Sequence, residues 1–354
     1  MTSSQPEPSL SAPEQQRLTV YPIRHPDIWR HYKQQLASFW AAEEIDFSKD
    51  RDQWNTKLTE DERRFVRGIL AFFAASDSVV SLNIMRNFCK EVTILEAQIA
   101  YTYQAMMENI HAEVYSIMID IYVTDPVERD DMFENLGSLP CVRRKVEWAQ
   151  RWSLNAEGGE PASFSRRLLA YAIVEGLFFS GAFCAIYWIK QRNMLPGLTK
   201  SNEFIARDEG QHTEFACMMY GKLRRTRLTE AEAHAIFREA VGVESDFITE
   251  SIPCRLVGMN SVLMTQYIQY VADGLLGKLG YAPIYGAENP FSFMDLIGMT
   301  GRSNFFEERV SMYQRADVLN EDRAAMSGGG GGGGGDPGDP SSAQDGVSLY
   351  DPDF

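Results

Sequence analysis

Hydrophobic positions recur at three- and four-residue spacings from about residue 27 to about residue 316. This is the period of an amphipathic α-helix, and strong strand-like alternation is absent. Turn-forming residues interrupt the pattern at 123–130, 155–161, 194–197 and 281–290. Several helical segments exceed 20 residues, so the pattern predicts a mainly α-helical bundle. The predicted helices cover 28–44, 60–89, 93–123, 142–155, 163–192, 199–224, 229–251 and 254–278.

One predicted helix is apolar enough to cross a membrane. Residues 168–189, LLAYAIVEGLFFSGAFCAIYWI, form a 22-residue run with one charge, which is long enough to span a bilayer. The alternative is a helix buried on all sides in a large bundle. We favour the buried helix, because Glu175 lies near its middle and a carboxylate there is costly in lipid. We therefore expect no membrane association.

The composition narrows the class of protein. The chain has 354 residues, of which 44% are hydrophobic and 12% aromatic, so it can bury a sizeable core. Its net charge of −15 argues against binding nucleic acid through phosphates. The five cysteines form no CxxC pair, and Cys184 and Cys217 lie in apolar helical patterns typical of reduced thiols. Because no signal sequence is visible at the polar N-terminus, we expect a cytoplasmic location.

The two ends of the chain differ from the helical region in composition. Residues 1–18 are predicted to be a disordered arm, and residues 19–316 the folded domain. Residues 317–346 contain eight consecutive glycines, Gly328 to Gly335, and are predicted to be a flexible linker. Residues 347–354, VSLYDPDF, are either a docking peptide or an ordinary frayed terminus.

Two Glu-x-x-His pairs use two of the five histidines in the chain. The pairs are Glu108 with His111 and Glu209 with His212. On a helix, residues three apart are neighbours, so both side chains of a pair can reach one metal ion. A single pair of this kind is weak evidence for a metal site, because most such pairs lie on a surface.

An acid precedes each pair at a similar distance. Asp77 lies 31 residues before Glu108, and Glu175 lies 34 residues before Glu209. The alternative is a set of unrelated buried polar residues, but converging buried carboxylates without cations would cost several kcal/mol, roughly, for each. Two divalent ions would balance the four acids. The set matches carboxylate-bridged di-iron and di-manganese bundles of the ferritin-like type, and its oxygen-rich ligands favour Fe or Mn over structural Zn.

Tyr115 bears on what such metals would do. Ferritin-like bundles store iron, activate O₂ on substrates or make a radical. Tyr115 lies one turn past His111 on the same helix face, where an oxidised metal pair could oxidise it, although core packing is the commoner fate of a buried tyrosine. Phe179, Phe183 and Ile205 lie on the same helix faces as the predicted metal ligands. We predict that they form an apolar wall that excludes water from Tyr115.

Six segments match the motifs of a known family. They are FWAAEEIDFSKD (39–50), FFAASDSVV (72–80), ENIHAEVYS (108–116), VEGLFFSGAFCAIYWIKQRNMLPGL (174–198), SNEFIARDEGQHTEFAC (201–217) and NFFEERVSMYQR (304–315). In these segments the chain resembles the small subunit of class I ribonucleotide reductase, of the eukaryotic and large-DNA-virus type. The resemblance covers roughly residues 18–316 and implies an all-α, ferritin-like homodimer.

The resemblance also implies a metal site and a radical. It implies two iron ions, oxo-bridged when oxidised, with manganese as the less favoured metal. The implied ligands are Asp77, Glu108 and His111 for one ion and Glu175, Glu209 and His212 for the other. Tyr115 resembles the stable radical. Trp40 and Asp208, beside Arg207, resemble the start of a radical-transfer chain, and Tyr313 resembles its relay to a partner.

The implied partner is the large subunit of the reductase. In the family, the radical oxidises a cysteine of that subunit, which then reduces ribonucleoside diphosphates with thioredoxin- or glutaredoxin-type reductants. The docking contacts implied for the C-terminal peptide are Tyr350, Asp351, Asp353 and Phe354. The glycine run departs from the family pattern by lengthening the segment before this peptide.

Two rival functions use the same fold. A di-metal oxidase or iron-handling protein would need the metal site but not Tyr115, the Trp40–Asp208 pair or the C-terminal peptide. A non-catalytic helical scaffold would have lost at least one ligand, and this chain has all six. We therefore favour the reductase subunit.

Overall fold

The structure, a computed structural model, describes residues 10, 17, 19–135, 140–153, 163–251 and 260–294. These residues form helices and connecting turns, with no strand among them, so the all-α, ferritin-like prediction is confirmed. The main helices are α1 Pro26–Leu36, α2 Asp50–Lys57, α3 Glu60–Asn83, α4 Leu95–Tyr122, α5 Pro126–Asn135, α6 Pro140–Ser153, α7 Phe164–Ile173, α8 Ser180–Gln191, α9 Pro196–Gly221, α10 Glu230–Ser251 and α11 Ser261–Leu279.

Long helices pack side by side around a single apolar core. Helix α3 packs along α4, α7 along α9 and α10 along α11. All described residues belong to one compact unit, which ends at Gly298. Tyr313, the predicted linker 317–346 and the predicted peptide 347–354 lie outside the described residues.

The most apolar helix of the described chain runs through the core. Helices α7 and α8 are joined by a π turn, Val174–Phe178, so that Phe164–Gln191 forms one long helical segment. It has the length and composition to cross a membrane, but 94% of its apolar window is buried inside the protein. The interpretation as a buried core helix is therefore confirmed.

Two of the predicted helix boundaries are wrong. The break predicted at 123–130 contains the start of α5 at Pro126. There Asp125 Oδ1 accepts a hydrogen bond from the Glu128 backbone N–H at 2.9 Å, and proline is favoured in a first helical turn. The helix predicted for 28–44 ends at Leu36.

Helix α2 is not visible in the hydrophobic periodicity. Only Asp50 and Trp54 of its eight residues are buried, which leaves too few apolar positions for a helical pattern to stand out. The position of this short polar helix is set by contacts with residues that are distant in sequence.

Asp50 joins three elements of the fold. Its carboxylate accepts a hydrogen bond from the Tyr122 hydroxyl at the end of α4, at 2.6 Å. It also accepts the backbone N–H groups of Gly197 and Leu198 at the start of α9, at 2.9 and 2.8 Å. These are orphan donors of a helix N-terminus, which favours negative charge. A Cβ at Gly197 would lie 2.4 Å from Phe47, so the close approach requires glycine.

The N-terminal arm is described at only two positions. The Leu10 carbonyl accepts the Thr93 backbone N–H at 2.9 Å, and the Arg17 guanidinium pairs with the buried Glu96 carboxylate at 2.9 Å. The rest of residues 1–18 lies outside the described part, and the domain boundaries stay a prediction.

Replacing Asp50 should loosen the start of α9. We expect Asp50→Asn to lower the free energy of unfolding by about 1–3 kcal/mol, because an amide cannot accept all three hydrogen bonds. Urea denaturation of the metal-free protein measures this change. Asp52→Asn, an exposed position on the same helix, is the control and should change stability by less than about 0.5 kcal/mol. Equal effects of the two variants would contradict the capping role.

Candidate metal centre

The two Glu-x-x-His pairs lie on α4 and α9 and face each other. The His111 Nδ1 atom lies 3.0 Å from Glu209 Oε1, and the His212 Nδ1 atom lies 2.9 Å from Glu108 Oε1. Each imidazole also lies near the acid of its own pair, at 3.5 Å for His111 and 3.1 Å for His212. The four side chains are buried, and the three-residue spacing within each pair places its acid and its imidazole on the same side of the helix.

Glu175 joins these four residues from the π turn between α7 and α8. One ligand atom each from Glu108, Glu175, Glu209 and His212 lies within 4.8 Å of the others. A Cβ at Gly176 would lie 2.8 Å from Thr213, so a glycine in the π turn lets it approach α9 closely. The backbone of Asp77 lies in α3, whereas its side chain lies outside the part of the chain that the structure describes.

The clustered acids strongly perturb one another. Burial raises the pKa of Glu175 well above its ordinary value, and the Glu209 and Glu108 carboxylates raise it further. Burial would also raise the pKa of Glu209, but contacts with His111 and His212 hold it below the ordinary value. Burial disfavours a charged His212, yet contacts with Glu108 and Glu209 raise its pKa to about 9. The cluster therefore attracts positive charge.

The donor set fits a pair of divalent ions. Both carboxylate oxygens of Glu108 and of Glu175 are buried and accept no hydrogen bond of suitable geometry from the described residues. Buried oxygens of this kind require a partner. Carboxylates and imidazoles are ligands for iron and manganese, and metal binding would displace the protons that the imidazoles attract. Among the described residues, Glu108, Glu175, Glu209 and His212 form a cluster that could hold a metal ion.

Tyr115 lies in α4 one turn beyond His111 and is 1% exposed. Its ring stacks on Phe73 of α3, with ring centroids 4.9 Å apart. Phe73 in turn contacts Phe179 and Phe183, with centroids 5.5 and 5.3 Å apart. Two of the three predicted wall residues, Phe179 and Phe183, therefore contact Phe73, a residue that was not predicted.

The third predicted wall residue, Ile205, is buried on α9. Phe73, the residue that was not predicted, precedes Asp77 by four positions on α3. The helix-stripe reasoning that selected the other wall residues would have found it there, because residues four apart share a helix face.

A chain of polar contacts leads from His111 toward Trp40. The Trp40 indole N–H donates to Asp208 Oδ2 at 2.6 Å, and the His111 Nε2 atom lies 3.3 Å from the same oxygen. Arg207 donates to Asp208 Oδ1 from Nε at 3.2 Å and from Nη2 at 3.1 Å. Because Nδ1 of His111 faces the acids, Nε2 is the nitrogen that donates to Asp208, which fixes the orientation of the ring. The predicted Trp40–Asp208 pair is in contact.

Arg207 also reaches back to the segment before Trp40. Its Nη2 atom donates to the Ser38 carbonyl at 2.6 Å, and Phe204 packs on the Trp40 ring with centroids 5.2 Å apart. Both contacts fix the position of Trp40 relative to α9. Neither was predicted, because they join residues more than 160 positions apart in sequence.

A protein-family model described as "Ribonucleotide reductase, small chain" matches residues 17–290. This chain belongs to that family. It is 49% identical over 315 residues to the ribonucleoside-diphosphate reductase small chain of Nicotiana tabacum, covering 89% of this chain and 94% of the relative. The corresponding small chain of Vaccinia virus (strain Ankara) is 46% identical over 316 residues, covering 89% and 97%.

A solved structure shares the fold. The ribonucleotide reductase Rnr4 homodimer from Saccharomyces cerevisiae matches with a TM-score of 0.73 and 35% identity, covering 86% of this chain and 92% of that one. The family resemblance read from the six sequence segments is thus confirmed. The roles assigned to individual residues stay predictions.

Metal should stabilise the protein through the clustered acids. An ion present at a thousand times its dissociation constant adds about 4 kcal/mol to the free energy of unfolding, which thermal unfolding with and without Mn²⁺ or anaerobic Fe²⁺ measures as a shift in Tm. We expect Glu209→Gln to lose most of this shift. The matched control is Glu214→Gln, at an exposed position of α9, which should keep it. An undiminished shift in Glu209→Gln would rule out Glu209 as a metal ligand.

Proposed function

We propose that this protein is the radical-bearing small subunit of a ribonucleoside-diphosphate reductase. Its membership of the small-chain family supports the activity as a whole. The observation that carries the finer proposal is the unbroken set of contacts from the acid cluster through His111 and Asp208 to Trp40. An iron-handling protein or a self-contained oxidase needs the acid cluster but does not need a set of contacts that leads from it to Trp40.

We propose iron as the metal, held by Asp77, Glu108 and His111 and by Glu175, Glu209 and His212. The oxygen-rich ligand set also suits manganese, so the choice of iron depends on the radical chemistry proposed for Tyr115. When bound, the metal pair supplies a one-electron oxidation driven by O₂. The remaining tasks belong to the side chains of this protein.

Tyr115 would be the group that is oxidised. Its phenol loses one electron and its proton, which leaves a radical that survives only where water and reductants are excluded. The buried position of Tyr115 and the stacked ring of Phe73 support this role. Phe179 and Phe183 would close the pocket behind Phe73.

Trp40 and Asp208 would carry the oxidising equivalent out of the core. An indole that donates to a carboxylate can release its electron while its proton stays shared with that carboxylate. Asp208 would hold His111 and Trp40 on one oxygen and Arg207 on the other, so that all three groups keep a fixed arrangement. Tyr313 would complete the route to the partner.

We further propose a cytoplasmic homodimer that acts with a large subunit. The homodimeric state of the yeast structure supports the dimer. The large subunit would bind the C-terminal peptide through Tyr350, Asp351, Asp353 and Phe354. It would use the radical to reduce ribonucleoside diphosphates, while the small subunit itself binds no nucleotide.

The radical should depend on Tyr115 alone. After addition of Fe²⁺ and O₂ to the metal-free protein, electron paramagnetic resonance should show a tyrosyl signal that Tyr115→Phe abolishes. The control is Tyr171→Phe, which alters another fully buried tyrosine and should keep the signal. A signal that survives in the first variant and vanishes in the second would move the radical to Tyr171.

Deleting residues 347–354 should separate docking from radical formation. The truncated protein should form the same amount of tyrosyl radical but lose nearly all reductase activity when mixed with the large subunit, because the apolar and acidic contacts of the peptide are gone. Radical content and deoxynucleotide production are measured on one sample. Undiminished activity would show that the peptide does not dock.

A further inference from the structure

A buried ion pair contacts the helical segment that carries Glu175 and has no part in the function proposed above. Lys145 of α6 and Glu244 of α10 are 1% and 0% exposed, and Lys145 Nζ lies 2.5 Å from Glu244 Oε2. Burying two charges costs roughly several kcal/mol for each ion before their attraction compensates. In many proteins, replacing a buried ion pair by apolar residues of similar size leaves the folded state at least as stable. Stability alone is therefore a weak explanation of this pair.

Lys145 also contacts the turn that carries Glu175. Its ammonium donates a hydrogen bond to the Phe178 carbonyl at 2.6 Å, and Phe178 is the last residue of the π turn Val174–Phe178. The ammonium lies 3.4 Å from the centroid of the Phe72 ring and 3.8 Å from that of Phe247. These aromatic faces favour a cation and fix its position.

Glu244 contacts the chain just beyond the same turn. A Cβ placed on Gly181 would lie 2.7 Å from Glu244 Oε1 and 2.8 Å from Ile248. Glycine is therefore required at this position, where α10 presses against the first turn of α8. Between them, Lys145 and Glu244 contact both ends of the segment 178–181 that follows Glu175.

A π turn needs such support more than an α-helix does. Its hydrogen bonds are shifted by one residue from the regular ladder, which makes it a local distortion with the α-helix as its competitor. A charge-assisted hydrogen bond to a carbonyl is about twice as strong as a neutral one. Even a small rotation of the helix backbone at this turn would move the Glu175 carboxylate away from Glu108 and Glu209.

We propose that Lys145 and Glu244 are positioning residues that hold the π turn so that Glu175 can bind metal. The inference rests on the proposed di-metal site, and it gives the ion pair a task in building that site. Groups behind the ligands of a metal commonly change its affinity by about 10- to 100-fold when they are removed. The pair acts through the backbone of the ligand's own turn.

The double variant Lys145→Met/Glu244→Leu tests this role. It removes both charges and fills the space with apolar side chains, so the fold should survive. Titration of the metal-free protein with Co²⁺, followed by the visible absorption of the bound ion, should show two ions bound by the wild type. In the variant we expect one of the two to bind roughly 10- to 100-fold more weakly.

A second buried ion pair provides the control. Arg17 and Glu96 are 7% and 0% exposed and 2.9 Å apart, and their hydrogen bonds lie at the N-terminal arm and the start of α4. Arg17→Met/Glu96→Leu should leave both Co²⁺ affinities unchanged. If this control variant and the test variant lose metal equally, the effect is a general loss of stability and the proposal is wrong.

The remaining outcomes separate the inference from the function on which it rests. If the wild type binds two ions and the test variant binds both with wild-type affinity, the positioning role is wrong and the metal site stands. If the wild type binds no Co²⁺, both the positioning role and the proposed metal site are wrong. Amide hydrogen exchange of residues 174–181 in the metal-free protein gives an independent result. Faster exchange in the test variant supports the positioning role of Lys145 and Glu244, and unchanged exchange overturns it.

Discussion

The helices of this protein are arranged around a concentration of negative charge that water does not reach. Glu108, Glu175 and Glu209 bring carboxylates within 4.8 Å of one another in the core. Each buried ionised carboxylate costs several kcal/mol, roughly, without a cation, whereas a whole domain is stable by only about 5–15 kcal/mol. A bundle with this centre is therefore built to hold metal ions. Burial and the neighbouring carboxylates raise the pKa of Glu175, and contacts with Glu108 and Glu209 raise that of His212 despite its burial, so both groups favour the protonated form that offsets negative charge.

The surroundings of the cluster follow from the same constraint. The segments that carry Glu108, Glu175 and Glu209 each receive a charged or polar contact from a different element. Asp50 caps the start of α9 and holds the end of α4, and Asp208 orients the imidazole of His111. Lys145 contacts the π turn that carries Glu175. Geometry at a metal site has to be accurate to a fraction of an ångström, and apolar packing alone does not supply such directional restraint.

The sequence indicated the cluster because its members repeat at helical spacing. The two Glu-x-x-His pairs, and Tyr115 one turn past His111, are local patterns that survive without knowledge of the tertiary fold. Asp50, by contrast, appears in the sequence as one more charged residue in a polar segment. Its partners lie 72 and 147 positions away, so no local pattern could have revealed it. The π turn was not predicted either, because its residues have the same apolar character as the flanking helices.

The proposed radical would need both protection from solvent and a route out of the core, and different side chains would serve these two needs. Tyr115 is buried and stacks on Phe73, which in turn contacts the Phe179 and Phe183 rings. Trp40 is itself only 2% exposed, yet the next residue toward the N-terminus, Phe39, is 51% exposed. The contacts through Asp208 therefore end at a buried indole whose neighbour in sequence is exposed. In the route that we propose, the buried indole of Trp40 is shielded from solvent, and Tyr313 would carry the transfer on to the large subunit.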